Sequence, residues 1–514
     1  VAVTTNHYEL IVLGSDIAGL VAAALVARRG KRVLVIPDGS VDGAYRLGAR
    51  NLPLDTSPVV HMGTPPVQRV FHELGLLQMV KRQHASVDGL IHLVLPNQRL
   101  DLEPQETNFF EEARRQWPDD PIEEAWALQR RWSEATDEVL EQLLSSDNAL
   151  LADGFWGRRF LSRVATQLPG EDVDPLEPLA PDHPLRAGAR CIEPWLQHLS
   201  PAQLGRAASL RLRGLWSNGP EDLPGGLMRL RELLLQRISL HSGEIKRDLR
   251  VAELLVKRGR VVGISLLGKR DRYGCDHMII ATDPRRLLDG PLGPHMLPKA
   301  LANTLTAIET VADRFVMHAE IDAAGLSPAL AGLVLSVPAR ADLATDPDEA
   351  RLWHEHGVGS TYVRLFPGSN EDLRRISITR LLPAGSSLDG VRDRIIDDLD
   401  EAGVLPFCRP YIRWMHSPYD GLPPTDGHGT PIAESGPNAM PQPMSSVYVH
   451  HGDLVLGVGV LPHASGIRSL HFASRLTLPG LGLEGEFAAG LIAASMVASP
   501  AKSPLSRSPL LSRV

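Results

Sequence analysis

Gly14-Ser15-Asp16-Ile17-Ala18-Gly19 lies between two apolar runs, Tyr8 to Leu13 and Leu20 to Arg29. The first run reads as a buried strand and the second as a helix. Gly30-Lys31 closes that helix, and Arg32 to Ile36 reads as a further strand. A glycine-rich turn between strand and helix is suited to holding a pyrophosphate, because free N–H groups and the helix dipole attract anions there. Within a βαβ unit of roughly 30 residues the G-x-G-x-x-G spacing predicts dinucleotide binding. The middle glycine lets the pyrophosphate approach the backbone, and here it is Asp16. An aspartate adds a Cβ and a negative charge at the point where the ligand would touch.

Little other chemistry stands out. His61, His72, His84 and His92 share no metal-ligand spacing, and His450-His451 is an isolated pair. Each reads as a core or surface histidine, so no metal is expected. Ser57 and Ser474 have no base partner in the sequence, which leaves nucleophilic catalysis unsupported. Asp283-Pro284 reads as a turn after a strand, with a role at the edge of a bound cofactor as the other reading. No catalytic residue is assigned.

The chain has 514 residues, 43% of them hydrophobic and 22% charged, with a net charge of −8. That length accommodates two or three domains, or one large unit with an inserted subdomain. No basic block is present, which argues against nucleic acid as a partner. Cys191, Cys275 and Cys408 are far apart in sequence, so neither a disulfide framework nor structural zinc is expected. A cytoplasmic setting follows, or a peripheral one on the inner membrane. The nearest candidate for a membrane span, Ile17 to Val26, is ten residues long and too short.

The elements that must position the turn follow from periodicity. Arg46 to Asn51 and Leu52 to Val60 read as loop and short strand, and Pro65 to Leu74 as a helix closed by Gly75. Gly89 to Leu95 and Gln98 to Leu102 read as a hairpin around Pro96-Asn97. Glu103 to Leu168 is helical, with Trp117, Trp126, Trp132 and Trp156 read as core packing rather than a cofactor box. Gly170 to Pro194 reads as a loop, and Pro194 to Leu215 as helical. Leu227 to Leu240 is a helix. Strands are expected at Glu244 to Leu249, Val251 to Lys257, Val261 to Leu267 and His277 to Ala281. Further on, Phe315 to Ile321, Thr361 to Phe366 and Ile376 to Leu381 read as strands. Leu388 to Ala402 reads as a helix, Asp420 to Ser446 as a long loop and Glu484 to Val497 as the last helix. Ser499 to Val514 reads as a disordered Ser/Pro-rich tail.

Four segments in this order resemble the phytoene desaturase and flavin amine oxidase superfamily. They are the N-terminal βαβ unit; Leu54-Asp55-Thr56-Ser57-Pro58 with the helix ending Glu73-Leu74-Gly75; Leu223-Pro224-Gly225-Gly226-Leu227 with its following strands to Asp283-Pro284; and Leu478-Pro479-Gly480-Leu481-Gly482-Leu483-Glu484-Gly485. They span about half of the chain. The resemblance implies an α/β fold: a Rossmann-like FAD/NAD(P)-binding domain with an interleaved mixed α+β substrate domain. The cofactor domain would be assembled from residues 1–85, 220–290 and 450–498, and the substrate domain from 86–219 and 291–449. It also implies FAD, held by Gly14, Ser15, Asp16, Gly19, Asp38, Arg46, Val251, Gly480 and Gly482.

The sequence departs from that family at four places facing one ligand. Asp16 replaces a glycine. Pro37 stands where the family has a ribose-binding glutamate, with Asp38 next to it. The family's Gly-Gly-Arg is read here only as Gly43-Ala44-Tyr45-Arg46, and the stretch matching its Gly-Asp pair before the last helix is Phe472-Ala473-Ser474-Arg475. Two like charges about 4 Å apart at an effective dielectric of ~20 repel by roughly 4 kcal/mol, about three decades in affinity. Relief would come if Asp16 faces solvent, holds a proton, or pairs with Arg46, Arg50 or Arg475. Alternatively Asp16 caps the helix and fills the anion site itself. Two functions follow. One is an FAD-dependent oxidoreductase transferring hydride from a lipophilic, isoprenoid-like substrate to flavin, with possible membrane contact. The other is a flavoprotein-derived scaffold or assembly subunit without cofactor, whose partner is a protein.

Overall fold

The computed structural model describes residues 6–83, 85–86, 91–95, 98–102, 106–145, 155–217, 221–268, 271–287, 297–337, 352, 355–433 and 443–499. Strand β1 (Asn6–Gly14), helix α1 (Ile17–Arg28) and strand β2 (Val33–Ile36) form the expected βαβ unit. Alternation is absent from β1 and β2 because both faces are covered, and a parallel strand buried on two sides reads as a continuous apolar run. β1 pairs in parallel with β2 and with strand Arg272–Ala281, its last residue Gly14 opposite Ala281. Leu470–Phe472 adds in parallel beyond Arg272–Ala281, and Glu244–Ile245 beyond β2. An antiparallel pair, Val251–Lys257 and Arg260–Leu266, completes this seven-stranded sheet.

α1 is buried from Ile17 to Ala27. It is sandwiched by the sheet, helix Gly226–Leu240 and the terminal helix Gly482–Val497. A helix covered on all sides is apolar all round, which explains the alanine-rich run Ala22-Ala23-Ala24. The terminal helix follows the same logic. With the turn before it, Pro479–Val497 is long and apolar enough to cross a membrane, a stretch the reading of Ile17 to Val26 passed over. Within the protein 83% of its most apolar window is buried, as in a core helix.

A second sheet of eight strands is built from residues 91–102 and 308–450. Its long central strand Ile308–Asp322 pairs antiparallel with Leu373–Pro383, Ile412–His416 and Ser445–His450. Helices Glu106–Gln116, Ile122–Leu144, Phe155–Ala165, Pro184–Leu196 and Arg206–Ser217 belong to the adjoining helical layer. Trp117 is buried there and Trp126 packs on the same cluster, in agreement with core packing.

Some expectations need correction. Gly170 to Pro194 is not loop throughout: Pro184 starts a helix that runs to Leu196, with Pro at its first position and His183 accepting the Leu185 N–H at 3.1 Å. Arg46 to Asn51 is not loop throughout, and the short strand does not extend over Leu52 to Val60. Ala44–Leu47 and Arg50–Pro53 form a hairpin, and Val60–Gly63 is a 3₁₀ turn. Glu244 to Leu249 shortens to two strand residues. The Pro96-Asn97 turn, His84, the side chain of Trp156, residues 434–442 of the long loop and the tail from residue 500 lie outside the described residues.

Candidate functional site

β1, β2 and Arg272–Ala281 end together, and the β1–α1 turn lies over their carboxyl ends, where open α/β sheets bind ligands. Gly14 has φ +110°, and a Cβ there would overlap the Ala281 carbonyl. A Cβ on Gly19 would overlap that of Ala281, so the glycine at the end of the hexapeptide is needed for helix–strand packing. Asp16 N–H donates to the Ala281 carbonyl at 2.9 Å. The first and last glycines thus serve the scaffold, and the scaffold is intact.

Ligand-facing positions differ. Asp16 is 4% exposed. Its Oδ1 accepts from Arg475 Nε at 2.9 Å and from a terminal guanidinium nitrogen at 2.6 Å, while Oδ2 accepts the Arg475 backbone N–H at 3.0 Å. Of the three possible relieving cations the structure selects Arg475. Arg46 is exposed on the Ala44–Leu47 strand, and Arg50 stacks on Trp414, 4.7 Å from its ring centre. Asp16 is the N-cap residue of α1 without a capping bond from its side chain, because the carboxylate turns to Arg475 instead.

A second carboxylate reaches the same helix end. Glu486, on the terminal helix, accepts the Ala18 N–H at 3.2 Å and lies 3.6 Å from His198 Nε2. Arg231, on helix Gly226–Leu240, donates to the carbonyl of Ser15 at 2.5 Å. Burial raises the Asp16 carboxyl, Arg475 draws it down, and Glu486 adds to the rise. Burial alone would also raise Glu486, but His198, Arg475 and Arg231 hold it below the usual carboxylate range. The Arg475 guanidinium is stabilised as a cation against burial, first by Asp16. With three N–H donors on Asp16, the ionised pair is the state the geometry supports.

The other expected cofactor contacts are dispersed or engaged. Asp38 accepts from Ser15 Oγ at 3.2 Å, from Arg286 at 3.2 Å and from Thr282 Oγ1. Val251 opens an antiparallel strand opposite Leu266. Gly480 and Gly482 stand at the start of the terminal helix. A Cβ on Gly480 would come within 2.9 Å of Val458 Cα, and one on Gly482 would overlap the Leu196 carbonyl. The turn that the family resemblance places beside a flavin ring is thus covered by backbone of Leu196 and Gln197. Arg314 holds that segment by donating to the carbonyls of Pro194 and Gln197, each at 2.5 Å.

These residues do not fit a dinucleotide. Glu486 already occupies the anion-attracting end of α1, the Asp16 carboxylate is paired with Arg475 beside it, and backbone covers the flavin-side turn. Glu486, Arg231 and Leu196 were missed in the sequence. A glutamate in the last helix, directly before the apolar run Phe487 to Ala494, was the available signal for Glu486; Arg231 and Leu196 had none.

Remaining candidates are structural. Asp283 accepts the Arg285 N–H at 3.0 Å and pairs with its guanidinium, as a turn would. Ser474 Oγ accepts the Leu476 N–H at 3.3 Å. His451 pairs with Glu309 at 2.8 Å and His450 is buried. Cys275 and Cys408 are buried free thiols, their pKa values pushed by burial up to about 12 and about 11. Among the described residues no group of His, Cys, Asp or Glu could hold a metal ion.

The two sheets and their helices form a mixed α/β architecture that matches the fold of FAD-dependent oxidoreductases. The sequence matches no family model and no curated protein. Solved structures match along nearly the whole chain. An oxidoreductase from Methanosarcina mazei is 14% identical, with 95% of this chain and 99% of that one covered and a TM-score of 0.54. Cyclohexylamine oxidase from Brevibacterium oxydans IH-35A is 13% identical over 95% and 98%, with a TM-score of 0.56. Putrescine oxidase is 12% identical over 96% and 100%, with a TM-score of 0.53. At these identities the likeness is one of fold.

Proposed function

We propose that this chain is a flavoprotein-derived binding or assembly subunit that keeps the oxidoreductase fold and works without a dinucleotide. The buried Asp16–Arg475 pair carries this reading. A pyrophosphate at the N-terminus of α1 would meet two carboxylates already there, and roughly 4 kcal/mol of repulsion per close like-charge pair works against it. The expected partner is a protein, in a cytoplasmic setting or at the inner membrane face.

FAD-dependent oxidation of a lipophilic, isoprenoid-like substrate is the second reading. Two observations favour it: the full-length fold likeness to amine oxidases, and a cleft of about 1090 Å³ in the second sheet's layer. Val94, Val337, Leu381 and Leu399 form its apolar part, and Arg99 and Arg394 stand among its polar lining. In such an enzyme the flavin accepts the hydride, so few catalytic side chains are required.

Purified protein separates the two readings. The cofactor-free reading expects a colourless protein whose denatured supernatant contains no flavin. Stoichiometric flavin in that supernatant would establish the oxidoreductase reading instead.

A further inference from the structure

We infer that Asp16 and Glu486 occupy, in cis, an anion site whose cationic walls are still complete. The inference rests on the reading that no dinucleotide enters the crevice, and it specifies what stands in the ligand's place.

Three walls surround the two carboxylates. One is the N-terminus of α1, a 12-residue helix whose Ala18 N–H is directed at Glu486 Oε2. Another is Arg475, which commits two guanidinium nitrogens and its backbone N–H to Asp16. The remaining wall is Arg231, whose guanidinium is held by the carbonyls of Ser15 and Val41, at 2.5 and 3.4 Å. Among the described residues no carboxylate lies within ion-pair distance of Arg231. It nevertheless sits in the field of Glu486 and Asp16, which act against the effect of burial on its charge.

The charges match. Two carboxylates face two guanidinium groups, and the diphosphate linkage of a dinucleotide carries the same two negative charges. One carboxylate comes from the turn and one from the terminal helix, so the substitute also ties the C-terminal segment to α1. With Asp16 in place of a glycine and Arg475 paired to it, the anion of the site belongs to the protein rather than to a ligand.

Removing the Asp16 carboxylate would leave Arg475 buried without its anion, and an added anion should then bind. Inorganic pyrophosphate is the probe, measured by calorimetry and thermal denaturation at constant ionic strength against chloride. Wild type should show no saturable binding. Asp16→Gly and the isosteric Asp16→Asn should bind at least about tenfold more tightly and regain thermal stability with added pyrophosphate. Asp16→Asn covers the case in which the glycine variant does not fold. Adding Arg475→Met to either variant should abolish the gain. No gain in either single variant would overturn the inference, as would a gain that survives loss of Arg475. Flavin in the wild-type protein would overturn the proposed function instead, so the two failures are distinguishable.

Discussion

Two buried arginine networks meet the same terminal helix within three residues of each other, and their charge balance differs. Glu486 and Asp16 share a pocket with Arg475 and Arg231, two carboxylates with two guanidinium groups. Glu484 pairs with Arg211 at 3.0 Å, and that single guanidinium also reaches Asp137 at 2.8 Å and Glu141 at 3.1 Å. Three carboxylates surround one cation there, and burial first, with Glu484 and Glu141 adding to it, pushes the Asp137 pKa up to about 6 against the pull of Arg211. The balanced network stands where a ligand is expected. The unbalanced one joins helices Ile122–Leu144 and Arg206–Ser217 to the terminal helix, and Asp137 takes up a proton there only below about pH 6. An exchange of ligand for side chains thus shows as charge matching, which helix–helix packing alone does not demand.

The largest expected effect comes from breaking the balanced network. Arg475→Met leaves Asp16 buried without its partner and should cost about 3–5 kcal/mol in urea unfolding. Arg475→Met with Asp16→Leu should recover much of that loss, because a matched apolar pair carries no desolvation cost. If the double variant is no more stable than the single, the pair is not acting as a unit.

The unbalanced network should show itself through pH. In the folded chain Asp137 keeps its proton to about pH 6, against 3.8 for the unperturbed group; burial is the main cause, ahead of the opposing pull of Arg211. Its raised folded pKa favours the folded state below the unfolded value, and that contribution is lost as pH rises from about 4 to about 6. The swing is at most about 3 kcal/mol, since each pKa unit is worth ~1.36 kcal/mol. Asp137→Asn should flatten the stability profile across that window; an unchanged slope would assign the proton elsewhere.

A smaller effect tests the scaffold apart from either network. Gly19→Ala places a Cβ against that of Ala281 and should cost about 1–3 kcal/mol by overpacking, with Asp16–Arg475 pairing preserved. A neutral outcome would mean that α1 can shift away from the sheet.

The same contrast explains what was legible in the sequence. The βαβ unit, the helix after Pro224-Gly225-Gly226 and the terminal helix are local patterns, set by apolar runs and glycine turns, and they stand close to where periodicity places them. Asp16 was conspicuous because it breaks a short motif. Arg475 was among three cations offered as its partner, and choosing it required the strand Leu470–Phe472 to pair beside Ile280, a contact far away in sequence. Arg231 sits on a helix whose pattern is merely amphipathic, and Leu196 acts through its carbonyl, which no side-chain pattern reveals. Site residues supplied by backbone atoms or by distant elements are therefore invisible until topology brings them together.

The central claim, that the chain's own carboxylates hold the place of a dinucleotide, is tested most directly by titrating the purified wild-type protein with FAD and following flavin fluorescence. The account predicts no saturable change. Saturable binding at one equivalent per chain would contradict it.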